Sequence, residues 1–218
     1  MNNKGKITKN LENIAEKIRL NFSAKDTARE KALRLSREII RHSANTIRAV
    51  HRREYDEAQR LLNSAASLLQ ELNHEITKSQ SELLYAGFVH DAQKEFAEAS
   101  ITLSLINSES IPDPGKLNVS YPAYLNGIGE ATGELRRYIL DSLRRNDFSR
   151  CEELLSIMDE IYAMLVTMDF PDAITYGLRR TTDTVRGILE KTRGDLTIAL
   201  RQKELEKKLG STTKRKQN

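Results

Sequence analysis

The chain has 218 residues, 39% hydrophobic and 30% charged, with 6% aromatic residues, 10 Gly, 4 Pro and one cysteine. That length is enough to bury a sizeable core, and the scarcity of Gly and Pro beside abundant Leu, Glu, Arg, Lys and Ala favours helices over sheets. The lone Cys151 excludes an internal disulfide and a cysteine-based zinc site. A net charge of +4 and a pI near 9.1 suit a polyanionic partner without requiring one.

Helical periodicity runs almost end to end. A first helix is predicted over about residues 7–21 and a second over 24–50, where Ala32, Leu35, Ile39, Ile40, Ala44 and Ile47 recur at three- and four-residue steps and Ser23 is a candidate N-cap. A third is expected over 54–77, carried by Tyr55, Ala58, Leu61, Leu62, Ala65, Leu68, Leu69 and Leu72, and a fourth over 79–107. The stretch 106–122, INSESIPDPGKLNVSYP, holds three of the four prolines and reads as the main break. Beyond it come helices near 122–145, 148–168 and 171–208, the last with Gly194 as a point of weakness. No strand-like alternation appears. The reading is one all-α domain over 1–218, of about seven helices, with basic flexible tails at about 1–6 and 210–218. No apolar run approaches a membrane span, so a soluble, cytoplasmic protein with no membrane partner is expected.

Phosphate-cradling glycine loops, the HExxH zinc motif and the serine nucleophile elbow are missing, and His42, His51, His74 and His90 show no ligand spacing. Gly129 and Gly133 form a GxxxG, read as a packing groove. What remains is acidic. In KEFAEA (94–99), Glu95 and Glu98 stand three apart; in GIGEATGEL (127–135), Glu130 and Glu134 stand four apart. Phe88, Ala92, Phe96, Ala99 and Leu103 make the apolar stripe of the first helix, with Glu95 at its margin and Glu98 further out beside Asp91 and Thr102. Glu130, Glu134, Arg137 and Asp141 share a face of the second. At these spacings side chains are neighbours. Carboxylates crowded between two helices rise in pKa unless a cation joins them, and Mg²⁺ or Mn²⁺ suits such oxygens. Acid pairs on a solvated face are the bland alternative, since 31 acidic residues produce them freely.

RLSREIIRHSANTIRAVHR (34–53), KEFAEA, YPAYLNGIGEATGELRRYILDSL (121–143) and FPDAITYGLRRTTDTVRGILEKTRGDL (170–196) together resemble the translin superfamily, in particular its Trax branch. The resemblance covers about residues 25–200, with GIGEATGEL its most specific part. It implies a seven-helix translin-like bundle assembling into a hollow, roughly octameric shell that binds single-stranded RNA, and also DNA. It further implies a divalent-metal-dependent endoribonuclease, a hydrolase whose catalytic and metal-binding acids match Glu95, Glu98, Glu130 and Glu134, with Mg²⁺ or Mn²⁺ as cofactor. Translin proper lacks the full acid set and serves mainly to bind, so a non-catalytic nucleic-acid-binding oligomer is the alternative. Glu130 stands where the branch would have the shorter Asp, and the short 106–122 loop is closer to prokaryotic relatives, for which self-association into a homo-oligomer is expected. Lys78, Lys94 and Arg137 are the candidate nucleic-acid contacts. Arg37, Arg41 and Arg52 are explained as well by ion pairing.

Overall fold

In a computed structural model of the chain, residues 3–78 and 87–215 are described, with side chains over 8–77 and 87–209. Eight helices follow in order among them: α1 Asn3–His51, α2 Tyr55–Lys78, α3 Gly87–Ile106, α4 Pro114–Leu117, α5 Tyr121–Arg144, α6 Cys151–Val166, α7 Asp172–Thr175 and α8 Leu178–Arg215. No strand occurs among the described residues. The all-α expectation is met, and the expected helices over 54–77, 122–145 and 148–168 lie close to α2, α5 and α6.

Three boundaries differ, each for a local reason. The first two predicted helices are one, because Asn21 and Ser23 are weak helix formers rather than breakers and no Gly or Pro interrupts residues 6–51. Ser23 does not cap a helix; it lies inside α1, where its carbonyl accepts from the Thr27 hydroxyl at 2.9 Å. The 106–122 break contains the one-turn α4, set by Pro114 in its first turn and by Asp113, whose carboxylate accepts from the Lys116 amide at 2.9 Å. The last predicted helix is divided after α7, where Tyr176 and Gly177 take left-handed conformations (φ 52° and 82°) before α8 begins. Residues 79–86, which the sequence assigns to the start of the fourth helix, lie outside the described residues. Helix continues through residues 3–6 and 210–215, where the sequence suggests tails.

Two apolar clusters hold the bundle. In one, Leu35 and Ile39 of α1 meet Leu69 and Leu72 of α2 and Val89, Ala92 and Phe96 of α3. In the other, Ala97 and Ile101 of α3 meet Leu135 and Ile139 of α5, Leu154, Met158 and Leu165 of α6, and Val185 and Leu189 of α8. Full burial of each such side chain is worth about 1.5–3 kcal/mol. Helix α3 belongs to both clusters, so it is covered by α1 and α2 on one side and by α5 on the other. That position explains why thirteen of its twenty residues are buried, Glu98 among them.

Candidate metal centre and nucleic-acid interface

Close approach of α3 and α5 creates the site. A Cβ placed on Gly127 would lie 2.7 Å from the Lys94 carbonyl oxygen, 2.9 Å from the Ala97 Cβ and 3.1 Å from the Glu98 amide nitrogen. Only glycine lets the two backbones meet there. Gly129, two residues on and on the opposite face, makes room for a side chain of α8: its added Cβ would sit 2.5 Å from the Thr181 methyl. Within the GxxxG, Gly129 is therefore the tight contact, while Gly133 is not, its nearest neighbour being the Ile188 Cδ1 at 3.8 Å.

With the helices this close, Glu95 and Glu98 of α3 and Glu130 of α5 each bring a carboxylate oxygen to within 4.8 Å of the other two. Glu98 is the most enclosed, at 8% exposure. The helical-wheel placement of Glu98 outside Glu95 is thus reversed, because both flanks of α3 are packed and the apolar stripe alone does not mark its inner side. Burial, then the charges of Glu130, Glu95 and Glu134, push the Glu98 carboxyl up to about 8. Glu95 is also raised, chiefly by burial and against the pull of Lys94. Like charges without enough counter-charge, in a poorly hydrated seam, account for both shifts.

One cation answers these acids. Lys94 donates to Glu130 Oε1 at 2.8 Å and lies 3.6 Å from Glu95 Oε1. Burial opposes its charge, but the bond to Glu130 and the charges of Glu130, Glu95 and Asp91 outweigh that and raise its pKa. The Glu98 side chain makes no hydrogen bond or ion pair with the described residues.

Glu134 is placed differently. It is close enough for its charge to bear on Glu98, yet its Oε2 accepts a short hydrogen bond from His51 Nε2 and lies 3.8 Å from Arg137 Nη1. His51, in the last turn of α1, is almost fully enclosed, and its Nδ1 has no partner among the described residues. So three of the four predicted acids converge and the fourth is turned aside to a histidine. No spacing rule finds His51, since its partner is 83 residues away.

The predicted nucleic-acid contacts also separate. Lys94 lies inside the acid cluster, and Arg137 is exposed beside Glu134. Lys78 ends α2 rather than sharing a helix with Lys94, and its side chain lies outside the described residues. Arg41 and Arg52 pair locally with Glu38 and Glu54.

The acids form one wall of a cavity of about 720 Å³ between α3, α5 and the start of α8. Asp91, Lys94, Glu98 and Glu130 lie on one side, and Tyr176, Arg180, Thr181 and Thr184 on the other. His90 stacks on Tyr176, ring centroids 4.6 Å apart and 14° from parallel. Burial lowers the His90 pKa against the opposing charge of Asp91. Asn126, one turn before Glu130, is a residue sequence reasoning passed over. Its amide donates to the carbonyls of Pro122 at 2.9 Å and Thr175 at 3.0 Å, and its Oδ1 accepts from the Thr181 hydroxyl at 2.6 Å.

Among the described residues no helix is long and apolar enough to cross a membrane. Known proteins are similar to this chain in sequence or in fold. An uncharacterized protein of Methanocaldococcus jannaschii, MJ0175, is 32% identical over 193 residues, covering 87% of this chain and 85% of its own. The solved structure of AfC3PO with duplex RNA superposes with a TM-score of 0.78 at 33% identity, over 85% of this chain and 95% of that one. AfC3PO by itself gives 0.76 at 33% identity, over 85% and 96%. Apo-NeC3PO shares the fold, with a TM-score of 0.71 at 22% identity over 87% and 97%. The family model described as Translin matches residues 2–193, and the chain belongs to the translin family.

Proposed function

We propose that this chain binds RNA and carries, as in the Trax branch, a divalent-metal-dependent endoribonuclease site acting on single strands. The observation that carries the reading is the convergence of Glu95, Glu98 and Glu130 within 4.8 Å, with Glu98 raised to about 8. Three hard oxygen donors short of positive charge fit Mg²⁺ or Mn²⁺ and fit softer metals poorly. Glu95, Glu98 and Glu130 would hold the ion, with Glu134 beside them. The chemistry such an ion supplies is Lewis-acid stabilisation of charge building on a phosphodiester. The chain's own part is to ready the ligands: Glu98 gives up its proton, Lys94 releases Glu130, and His51 fixes the orientation of Glu134. RNA as the ligand class is supported by the duplex RNA held in the similar AfC3PO structure.

One observation favours a non-catalytic reading. Lys94 already bridges Glu130 and Glu95, as a structural counter-ion would. Incubating the pure protein with labelled single-stranded and duplex RNA, in Mn²⁺ or in EDTA, separates the two. Cleavage of the single strand in Mn²⁺ alone is the expected result, and binding without cleavage in either condition is the result that favours the alternative.

Assembly into a hollow homo-oligomer, an octamer by resemblance, belongs to the same proposal. Leu11, Ile14, Ile18 and Phe22 recur along one face of α1 and are 44–64% exposed; Ile198 and Leu205 are exposed on α8, at 58–60%. Apolar stripes of this kind on helices call for a partner. Light scattering giving a mass near the 24.8 kDa of one chain at micromolar concentration contradicts this.

A further inference from the structure

The acid cluster accounts for one wall of the 720 Å³ cavity and leaves the other without a role. That opposite wall is the corner where α7 turns into α8, and several independent features suit it to a nucleotide. Its backbone is held in an unusual course. Tyr176 and Gly177 are both left-handed, the Asp172 carboxylate accepts from the Gly177 amide at 2.9 Å, and the amide of Arg180 donates to the Gly177 carbonyl at 3.0 Å. The corner is tied to the acid-bearing helix by the buried Asn126, through the Thr175 carbonyl on one side and the Thr181 hydroxyl on the other. Asn126 and Glu130 are four apart, hence on one face of α5. The buckle thus sets the position of Tyr176 and Arg180 relative to the acids.

The two side chains that this corner presents to the cavity have complementary chemistry. Arg180 is exposed and has no carboxylate within ion-pairing distance among the described residues, whereas Lys94, on the acid wall, is taken up by Glu130. A phosphate entering a cavity lined by Asp91, Glu98 and Glu130 needs a donor that is not already neutralised, and a guanidinium is the best fork for it. Tyr176 supplies an aromatic ring, backed by the stacked His90. Stacking on one such ring is indifferent to base identity, which suits a chain with few aromatics.

We propose that the α7–α8 corner is the substrate wall of the site, with Arg180 binding an RNA phosphate and Tyr176 stacking the adjoining base. This rests on the endoribonuclease reading but is tested without cleavage. The amide of Asn126 acts through the corner and is a positioning residue; Arg180 and Tyr176 touch the substrate.

The test is anisotropy of a short labelled oligouridylate in EDTA over a salt series, with wild type, Arg180→Gln, Arg180→Lys and Tyr176→Asn. Asparagine tolerates the left-handed backbone at 176, so the ring is removed without straining the turn. Arg180→Gln should weaken binding roughly tenfold and lower the dependence of affinity on salt by about one phosphate contact, with Arg180→Lys restoring the slope. Tyr176→Asn should weaken binding about fivefold or more with the slope unchanged. Mn²⁺ titrated calorimetrically into both variants should bind as to wild type, and both should melt as wild type does. Wild-type affinity and slope in Arg180→Gln and Tyr176→Asn overturn the substrate wall and leave the metal reading standing. Failure of the wild type to bind the oligonucleotide overturns both.

Discussion

The acids of the α3–α5 seam and those on the rest of the surface live under different rules. Away from the seam, several carboxylates have an arginine of their own: Asp195 with Arg136 at 2.8 Å, Glu153 with Arg150 at 2.7 Å, Asp159 with both oxygens on Arg193. The Arg150 bond holds Glu153 below its ordinary range. In the seam, Glu95 and Glu130 share the Lys94 ammonium, Glu98 has no ion pair among the described residues, and Glu98 and Glu95 are raised instead. Matched surface pairs of this sort contribute about 0–1 kcal/mol. Glu98, buried and without an ion pair among the described residues, works against the fold while ionised, which suits the cation proposed for this site.

Removing one seam acid should have the largest effect, a loss of activity without a loss of fold. Glu98→Gln keeps the shape and swaps an anionic oxygen for a neutral amide. Cleavage should fall by a factor on the order of 1,000, about 4 kcal/mol of transition-state stabilisation, while thermal melting in EDTA holds or rises. A fall in melting temperature with cleavage retained would place Glu98 with the structural acids.

The contrast also has a pH signature. The Glu98 carboxyl is raised from its ordinary 4.5 to about 8, so between those values the folded chain keeps a proton that the unfolded chain has lost. The folded state then binds more protons, and stability falls as pH rises through that window. In EDTA the protein should lose on the order of 4 kcal/mol between pH 5 and pH 9 from this group, and Glu98→Gln should flatten the curve. A wild-type curve as flat as the variant's would remove the buried-carboxyl account.

Geometry at the seam gives a smaller effect. Gly127→Ala drives a methyl to 2.7 Å from the Lys94 carbonyl oxygen and should destabilise by about 1–3 kcal/mol, by chemical denaturation. Gly133→Ala meets only ordinary contact at 3.8 Å and should be neutral or stabilise by about 0.5–1 kcal/mol, as helix-interior glycines do. Equal effects at the two positions would mean that the seam is not a backbone contact. Of similar size, Lys94→Met takes away the internal competitor for Glu130 and should tighten Mn²⁺ binding by about fivefold to tenfold, about 1 kcal/mol.

Much of this was legible in the sequence. The periodic apolar positions of α2 and α5 were strong enough to place those helices, and the two acid pairs stood out by spacing. The continuity of α1 was not legible, because Asn21 and Ser23 suggest a boundary although neither breaks a helix. Nor was the burial of Glu98, since a wheel drawn from one helix knows nothing of a second helix seated through Gly127. His51 and Asn126 were invisible for the same reason: each acts on residues about fifty or more positions away, and a single polar residue on a helix face gives no sign of that.

Calorimetric titration of Mn²⁺ into wild type and Glu98→Gln decides whether Glu95, Glu98 and Glu130 form a metal centre. Wild type should bind saturably and more tightly as pH rises from 6 to 8, as the Glu98 proton is displaced, and the variant should bind at least about tenfold more weakly and with less pH dependence. Equal affinity in the two proteins across that range would contradict it.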